Sequence, residues 1–176
     1  QDLLLDSLIL KTLRINNLSG RIKELIITAG GENIAPIPIE NAIKEALPCI
    51  SNVVLIGEKR KFISCLLTFK VVLDDTNERI SSDNLTAAAI SWCVSVGSSS
   101  VSLSDILAPD MVVMQAIQNG IDQANKSAVS NAGVVQKWMI LPNELSVSSG
   151  ELGPTLKLKR LDIHKKYNTA IDKLYY

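Results

Sequence analysis

The chain has 176 residues, 47% of them hydrophobic, and its 18 basic side chains offset 18 acidic ones, for a formal net charge of zero. This length supports one domain with a real core, or one with an added subdomain, and the supply of Ile, Val and Leu argues against disorder. Neutrality removes long-range attraction to nucleic acid or to an anionic bilayer, so any anion site must come from local clustering.

The opening QDLLLDSLILKTLRINNLS is leucine-rich, but Asp2, Asp6, Lys11 and Arg14 interrupt it. No run reaches the ~20 apolar residues of a membrane span, and the basic start and small-residue cleavage site of a signal peptide are missing. The expectation is a cytoplasmic protein that meets a membrane only from the side. Cys49, Cys65 and Cys93 are odd in number and widely spaced, with no CxxC pair and only His164 as an imidazole. They predict reduced core thiols and no metal site.

Residues 21–27, RIKELII, end in an apolar, β-leaning run that meets Thr28-Ala29-Gly30-Gly31. The glycine pair supplies positive φ, which predicts a strand, a tight turn and a return strand at Asn33–Ala35. Pro36 and Pro38 are expected to break regular structure. Ile39, Ala42, Ile43 and Ala46 then recur at helical spacing, with Glu40 in the first turn as a dipole complement, and Pro48 ends the helix.

Asn52–Gly57 and Phe62–Lys70 predict a hairpin whose turn, Glu58-Lys59-Arg60-Lys61, is a solvated charged face. Ser81-Ser82-Asp83 predicts a cap for a helix over 84–96, and Gly97–Ser104 a loop. A second helix is expected over 109–128, with Met111, Met114, Ile117 and Ile121 on one face. Val134–Leu141 reads as a third sheet strand, and 161–176 as a last helix carrying His164 on its surface. Trp92 and Trp138 are expected in the core. The fold class is α+β: a small three-stranded sheet with an N-terminal β-hairpin, flanked by helices, with a helical insertion.

Two strings carry chemistry. In GRIKELIITAGGENIAPIPIE (20–40), Arg21 on a strand edge can reach phosphate or ribose oxygens with its fork of donors, and Lys23 alternates to the same face. The Gly30-Gly31 turn exposes backbone N–H groups that can line an anion's passage. A plain hairpin with a solvated charged face has the same features, and the GxxxxGK[ST] phosphate loop is absent. In GELGPTLKLKR (150–160), Lys157 sits on a glycine-proline loop, a place for a mobile point charge. A basic stretch preceding an exposed helix fits equally well on composition.

Taken together, these strings resemble the carboxyl-terminal domain of acyl-CoA synthetases in the adenylate-forming superfamily. Ser149–Gly153 and Pro154–Arg160 resemble the bubblegum-type long-chain fatty acid enzymes. The resemblance implies that Arg21 approaches the nucleotide ribose, that Lys23 is the hinge of the domain, and that Gly30 and Gly31 lie on the coenzyme A side. It implies that Lys157 contacts ATP and AMP and assists adenylate formation. The resembling region is 20–176, including a helical insertion at about 81–130. Residues 1–19 match poorly, with Asp2 and Asp6 both open as ribose ligands, and are expected to be a remnant of the junction with a large N-terminal adenylation domain.

The parent reaction would join a fatty acid to CoA at the expense of ATP, giving acyl-CoA, AMP and pyrophosphate. Mg2+ would be held by residues of the large domain, so that this chain alone is expected to be inactive. A truncated, non-catalytic binding or scaffold module stays open as the alternative. Peripheral attachment at the endoplasmic reticulum, chain-length preference and oligomeric state are also open, and no nucleic acid partner is expected.

Overall fold

The computed structural model describes residues 25–73 and 81–176. In chain order its elements are β1 (Ile26–Ile27), β2 (Asn33–Ile34), α1 (Pro36–Ala46), β3 (Ile50–Ile56), β4 (Ile63–Phe69), β5 (Val71–Leu73) and β6 (Ser81–Leu85). They continue with α2 (Ala87–Ser95), α3 (Leu103–Leu107), α4 (Met111–Asn125), β7 (Val135–Ile140), α5 (Arg160–Lys166) and α6 (Asn168–Lys173). This is the expected α+β architecture.

The main sheet has the order β3-β4-β7, with β3 antiparallel and β7 parallel to the central β4. Every residue of β4 is buried, as a strand with partners on both edges and layers on both faces must be. Strand periodicity divides the core in two. Val53, Leu55, Cys65 and Leu67 face the layer of α1, α2 and α4, where they meet Ile43, Cys93, Ile117 and Ile121. Val54, Ile56 and Leu66 face the other way and pack with Ile163 and Ile171 of the two last helices and with Leu174 just after them.

A small hairpin, β1 with β2, lies against the turn between β3 and β4: the Lys59 N–H donates to Ile27 O and the Ala29 N–H to Arg60 O. That turn is therefore less free than its charge suggests. Arg60 pairs with Asp172 of α6 at 2.5 Å and lies 4.7 Å above the Tyr175 ring.

Several local expectations are corrected. Pro36 and Pro38 lie within the first turn of α1, where a missing N–H removes no helix bond. Ser81–Leu85 is a strand antiparallel to β5, not a helix start. The helix begins at Ala87, where the Thr86 hydroxyl accepts from the Ala89 N–H.

The expected loop 97–104 contributes the start of α3, closed by a capping box between Ser102 and Asp105. Helix α4 is capped by Asp110, and its buried stripe is Val113, Ile117 and Ile121, with Met111 exposed. The terminal helix is two short helices joined at Tyr167. Trp92 and Trp138 are partly buried against the core, and the Trp138 Nε1–H donates to Gln118.

All three cysteines are buried free thiols. Burial pushes the Cys49 and Cys65 thiols far up, as nearby Cys93 does for the first and Glu40 for the second. No helix among the described residues is long and apolar enough to cross a membrane.

Candidate functional site

The second string folds into a tight hairpin turn. The Leu156 N–H donates to Gly153 O and the Gly153 N–H to Lys157 O, while Leu152 and Leu158 form an antiparallel bridge. Leu156 has φ 60°, the left-handed conformation that a three-residue hairpin loop requires at its last position. A side chain there costs about 1–2 kcal/mol relative to the right-handed region, so something outside the turn must hold it. Lys157 is the next residue, and its side chain is exposed.

Both feet of this turn are held by carboxylates. Glu151 is buried, and its side chain accepts from Lys166 Nζ at 2.5 Å, from the Tyr167 hydroxyl at 2.9 Å, from the Ser146 N–H and from the Ser149 hydroxyl. Its backbone oxygen takes the Lys159 N–H. Burial alone would raise its pKa, but the four donors outweigh burial and hold it near 2. The Tyr167 phenol is correspondingly pushed up, by burial and by the bond to Glu151.

On the other side, Arg160 makes two parallel bonds to Glu40, of 2.7 and 2.8 Å. Glu40 is itself buried and also accepts the Leu55 N–H at 2.8 Å. Helix α1 begins at Pro36, so Glu40 lies beyond its first turn and, being buried, is not the solvated dipole complement expected from the sequence. It joins the last residue of the first string to the last residue of the second.

Gly30 and Gly31 are exposed at the tip of the β1–β2 hairpin, with Gly31 at φ 79°. The turn is closed by the Gly31 N–H to Thr28 O and by the Thr28 hydroxyl, which accepts the Glu32 N–H. Among the described residues no hydrogen bond or ion pair joins this tip to Lys157. Arg21 and Lys23 lie outside the described residues, as do Asp2 and Asp6.

Two concavities flank these loops. A shallow cleft of about 460 Å³ beside α5 is lined by Gly150, Lys159, Lys165 and Lys166 together with the acids Glu151 and Asp162. A groove of about 840 Å³ runs from Asn33, Ile34 and Pro38 to Ala128, Val129 and Ser130, with no ionisable side chain in its lining. Among the described residues no group of three or more His, Cys, Asp or Glu could hold a metal ion. His164 is half-buried rather than a free surface group, and burial, with Arg160 and Arg60 nearby, lowers its pKa.

Sequence reasoning singled out Lys157 but missed the buried Glu151 and the partner of Glu40. Nothing periodic marks either, since Glu151 lies in a polar stretch and Arg160 is 120 residues from Glu40.

Residues 23–115 match the family model described as AMP-binding enzyme C-terminal domain. The long-chain-fatty-acid–CoA ligase ACSBG2 of Gallus gallus is 50% identical over 159 residues, which are 90% of this chain and 21% of that protein. ACSBG1 of Homo sapiens is 51% identical over 160 residues, 90% of this chain and 22% of its own. The chain therefore spans about a fifth of the length of these curated relatives.

Among solved structures, the adenylation domain of the carboxylate reductase from Mycobacterium chelonae is similar, with a TM-score of 0.61 and 19% identity, over 88% of this chain and 20% of that one. The A domain of carboxylic acid reductase from Segniliparus rugosus, in complex with AMP and a co-purified carboxylic acid, gives 0.58 and 15%, over 88% and 20%. At these identities the likeness is one of fold.

Proposed function

Because the chain belongs to the AMP-binding enzyme C-terminal domain family, we propose that residues 20–176 act as the lid domain of a long-chain fatty acid–CoA ligase of the bubblegum type. The observation that carries this reading is the exposed Lys157 directly after the loop of a hairpin turn whose base is tied to the first string through Arg160 and Glu40. The likeness to the ACSBG ligases over 90% of the chain supports the substrate class, a long-chain fatty acid with ATP and CoA.

In the first half-reaction a fatty carboxylate attacks the α-phosphate of ATP and releases pyrophosphate. Two anions must approach, and a positioned ammonium offsets their repulsion where charge develops. Lys157 supplies that point charge; a lysine on a turn can be delivered and withdrawn, where an arginine fork favours a fixed partner. Arg21 would meet the ribose and Lys23 would be the pivot of the domain.

In the second half-reaction the CoA thiol attacks the acyl carbonyl and AMP leaves. The Gly30-Gly31 tip would line the thiol's approach, and the adjacent uncharged groove suits the neutral arm of CoA. Mg2+ would be held by the large adenylation domain, and the lid alone would not complete the reaction. Peripheral membrane association from the cytoplasmic side fits a long-chain substrate.

The test mixes this chain with the matching large domain and measures ATP–pyrophosphate exchange with palmitate. Exchange restored by the chain and lost with Lys157→Ala supports the proposal. Palmitoyl-CoA formation by the purified chain alone would refute the claim of inactivity. Absence of any rescue, with tight binding to another protein, would instead favour a scaffold module.

A further inference from the structure

The turn that presents Lys157 has a backbone that its own sequence disfavours. Leu156 sits at φ 60° and is largely exposed, so packing of its own side chain does not hold it there. A residue in a sparsely populated conformation persists only where the surroundings over-determine it. Two restraints do so here. The incoming foot is fixed through Glu151, whose carboxylate draws donors from α5, Tyr167 and the serine turn, and whose carbonyl takes the Lys159 N–H. The outgoing foot is fixed three residues past Lys157, where Arg160 is locked bidentately onto Glu40.

We propose that Glu40 and Arg160 are positioning residues for Lys157, setting where its ammonium stands for adenylate formation without touching the substrate. This rests on the reading of Lys157 given above. The geometry favours positioning over mere stability. A buried ion pair is often replaceable by apolar groups with little loss of stability, whereas a bidentate fork fixes an orientation that a single point contact does not. Glu40 is also anchored from behind by the Leu55 N–H of β3. The guanidinium is thereby referenced to the central sheet rather than to another loop.

The experiment uses Glu40→Gln, Arg160→Met and Arg160→Lys, with Lys157→Ala as the reference. In this chain, amide hydrogen exchange at Gly153, Leu156 and Lys159 is expected to rise about tenfold or more in Glu40→Gln and Arg160→Met, while the amides of β4 stay protected. With the matching large domain, kcat for adenylate formation is expected to fall roughly 10- to 100-fold with KM for ATP little changed. Arg160→Lys should recover part of the loss. Thioester formation from preformed acyl-adenylate should be unaffected.

Unchanged exchange at the three turn amides overturns the proposal, and so does equal slowing of both half-reactions. If Glu40→Gln fails to fold, Arg160→Lys, which keeps a charge on Glu40, decides by the same two readouts. Adenylation that survives Lys157→Ala defeats the reading of Lys157 itself, and the exchange measurement still decides whether the pair orders the turn.

Discussion

Lys166 sets its Nζ 2.5 Å from Oε1 of Glu151, and the two partners stand in different surroundings: the Glu151 side chain is 2% exposed and the Lys166 side chain 47%. An exposed lysine alone would be a weak partner. The buried carboxylate is satisfied because Tyr167, Ser146 and Ser149 complete its coordination. The cluster ties α5 and the 146–151 turn into one unit.

Acid should dissolve that unit. The Glu151 pKa is depressed from its ordinary value of 4.5 to about 2. A depressed carboxylate contributes stability that is fully present above the ordinary value and is lost as pH falls toward the folded one. The contribution at pH 7 is on the order of 3 kcal/mol. Urea unfolding should show the wild-type chain far more stable than Glu151→Gln at pH 7 and nearly equal to it close to pH 2. A difference independent of pH would contradict this assignment.

Gly120 in α4 faces Leu47, and a Cβ there would fall 2.4 Å from Leu47 Cδ2 and 2.6 Å from its Cγ. Helix propensity favours alanine by about 1 kcal/mol, but overpacking a core contact costs about 1–3 kcal/mol. Leu47 is fully buried and the clash reaches its branch point, so the second effect wins. Gly120→Ala should lower Tm. Combined with Leu47→Ala it should cost less than the sum of the two single changes.

The three thiols should be silent in the native chain. Cys49, Cys65 and Cys93 are each 0% exposed, and burial raises the pKa of every one. The thiolate is the reactive form, so an aromatic disulfide reagent at pH 8 should label none until denaturant is added, then all three. Fast native labelling would mean that the α2 layer opens.

The parts of the fold legible from sequence are those written in short-range pattern. The apolar runs of β3 and β4 bracket a charged turn, and the Gly30-Gly31 pair marks the first hairpin, as found. Ser81–Leu85 misled because serine and aspartate before an apolar run look like a helix cap. Its strand character comes from pairing with β5, a tertiary effect.

The parallel partnership of β4 with β7 also lies beyond local pattern. At the candidate site Lys157 was legible as a cation on a turn. Its supports were not, because Glu40 and Arg160 meet across 120 residues and Glu151 gains its partners only when α5 folds back.

The parallel pairing has a further consequence for length variation. Phe69 ends β4 and Val135 begins β7, so α2, α3, α4 and the β5–β6 pair all fall inside a single crossover connection. A parallel crossover needs only a dozen or so residues, usually one helix, and each doubling of a flexible loop adds only about 0.6 kcal/mol of closure entropy. Of these elements, α2 and α4 both cover the sheet, through Ala89 and Cys93 and through Val113, Ile117 and Ile121, and α3 adds Leu103 and Ile106 to the same core. The crossover can therefore change length at its exposed connections, such as 126–130 ahead of β7, while the helices that supply the core stay in place.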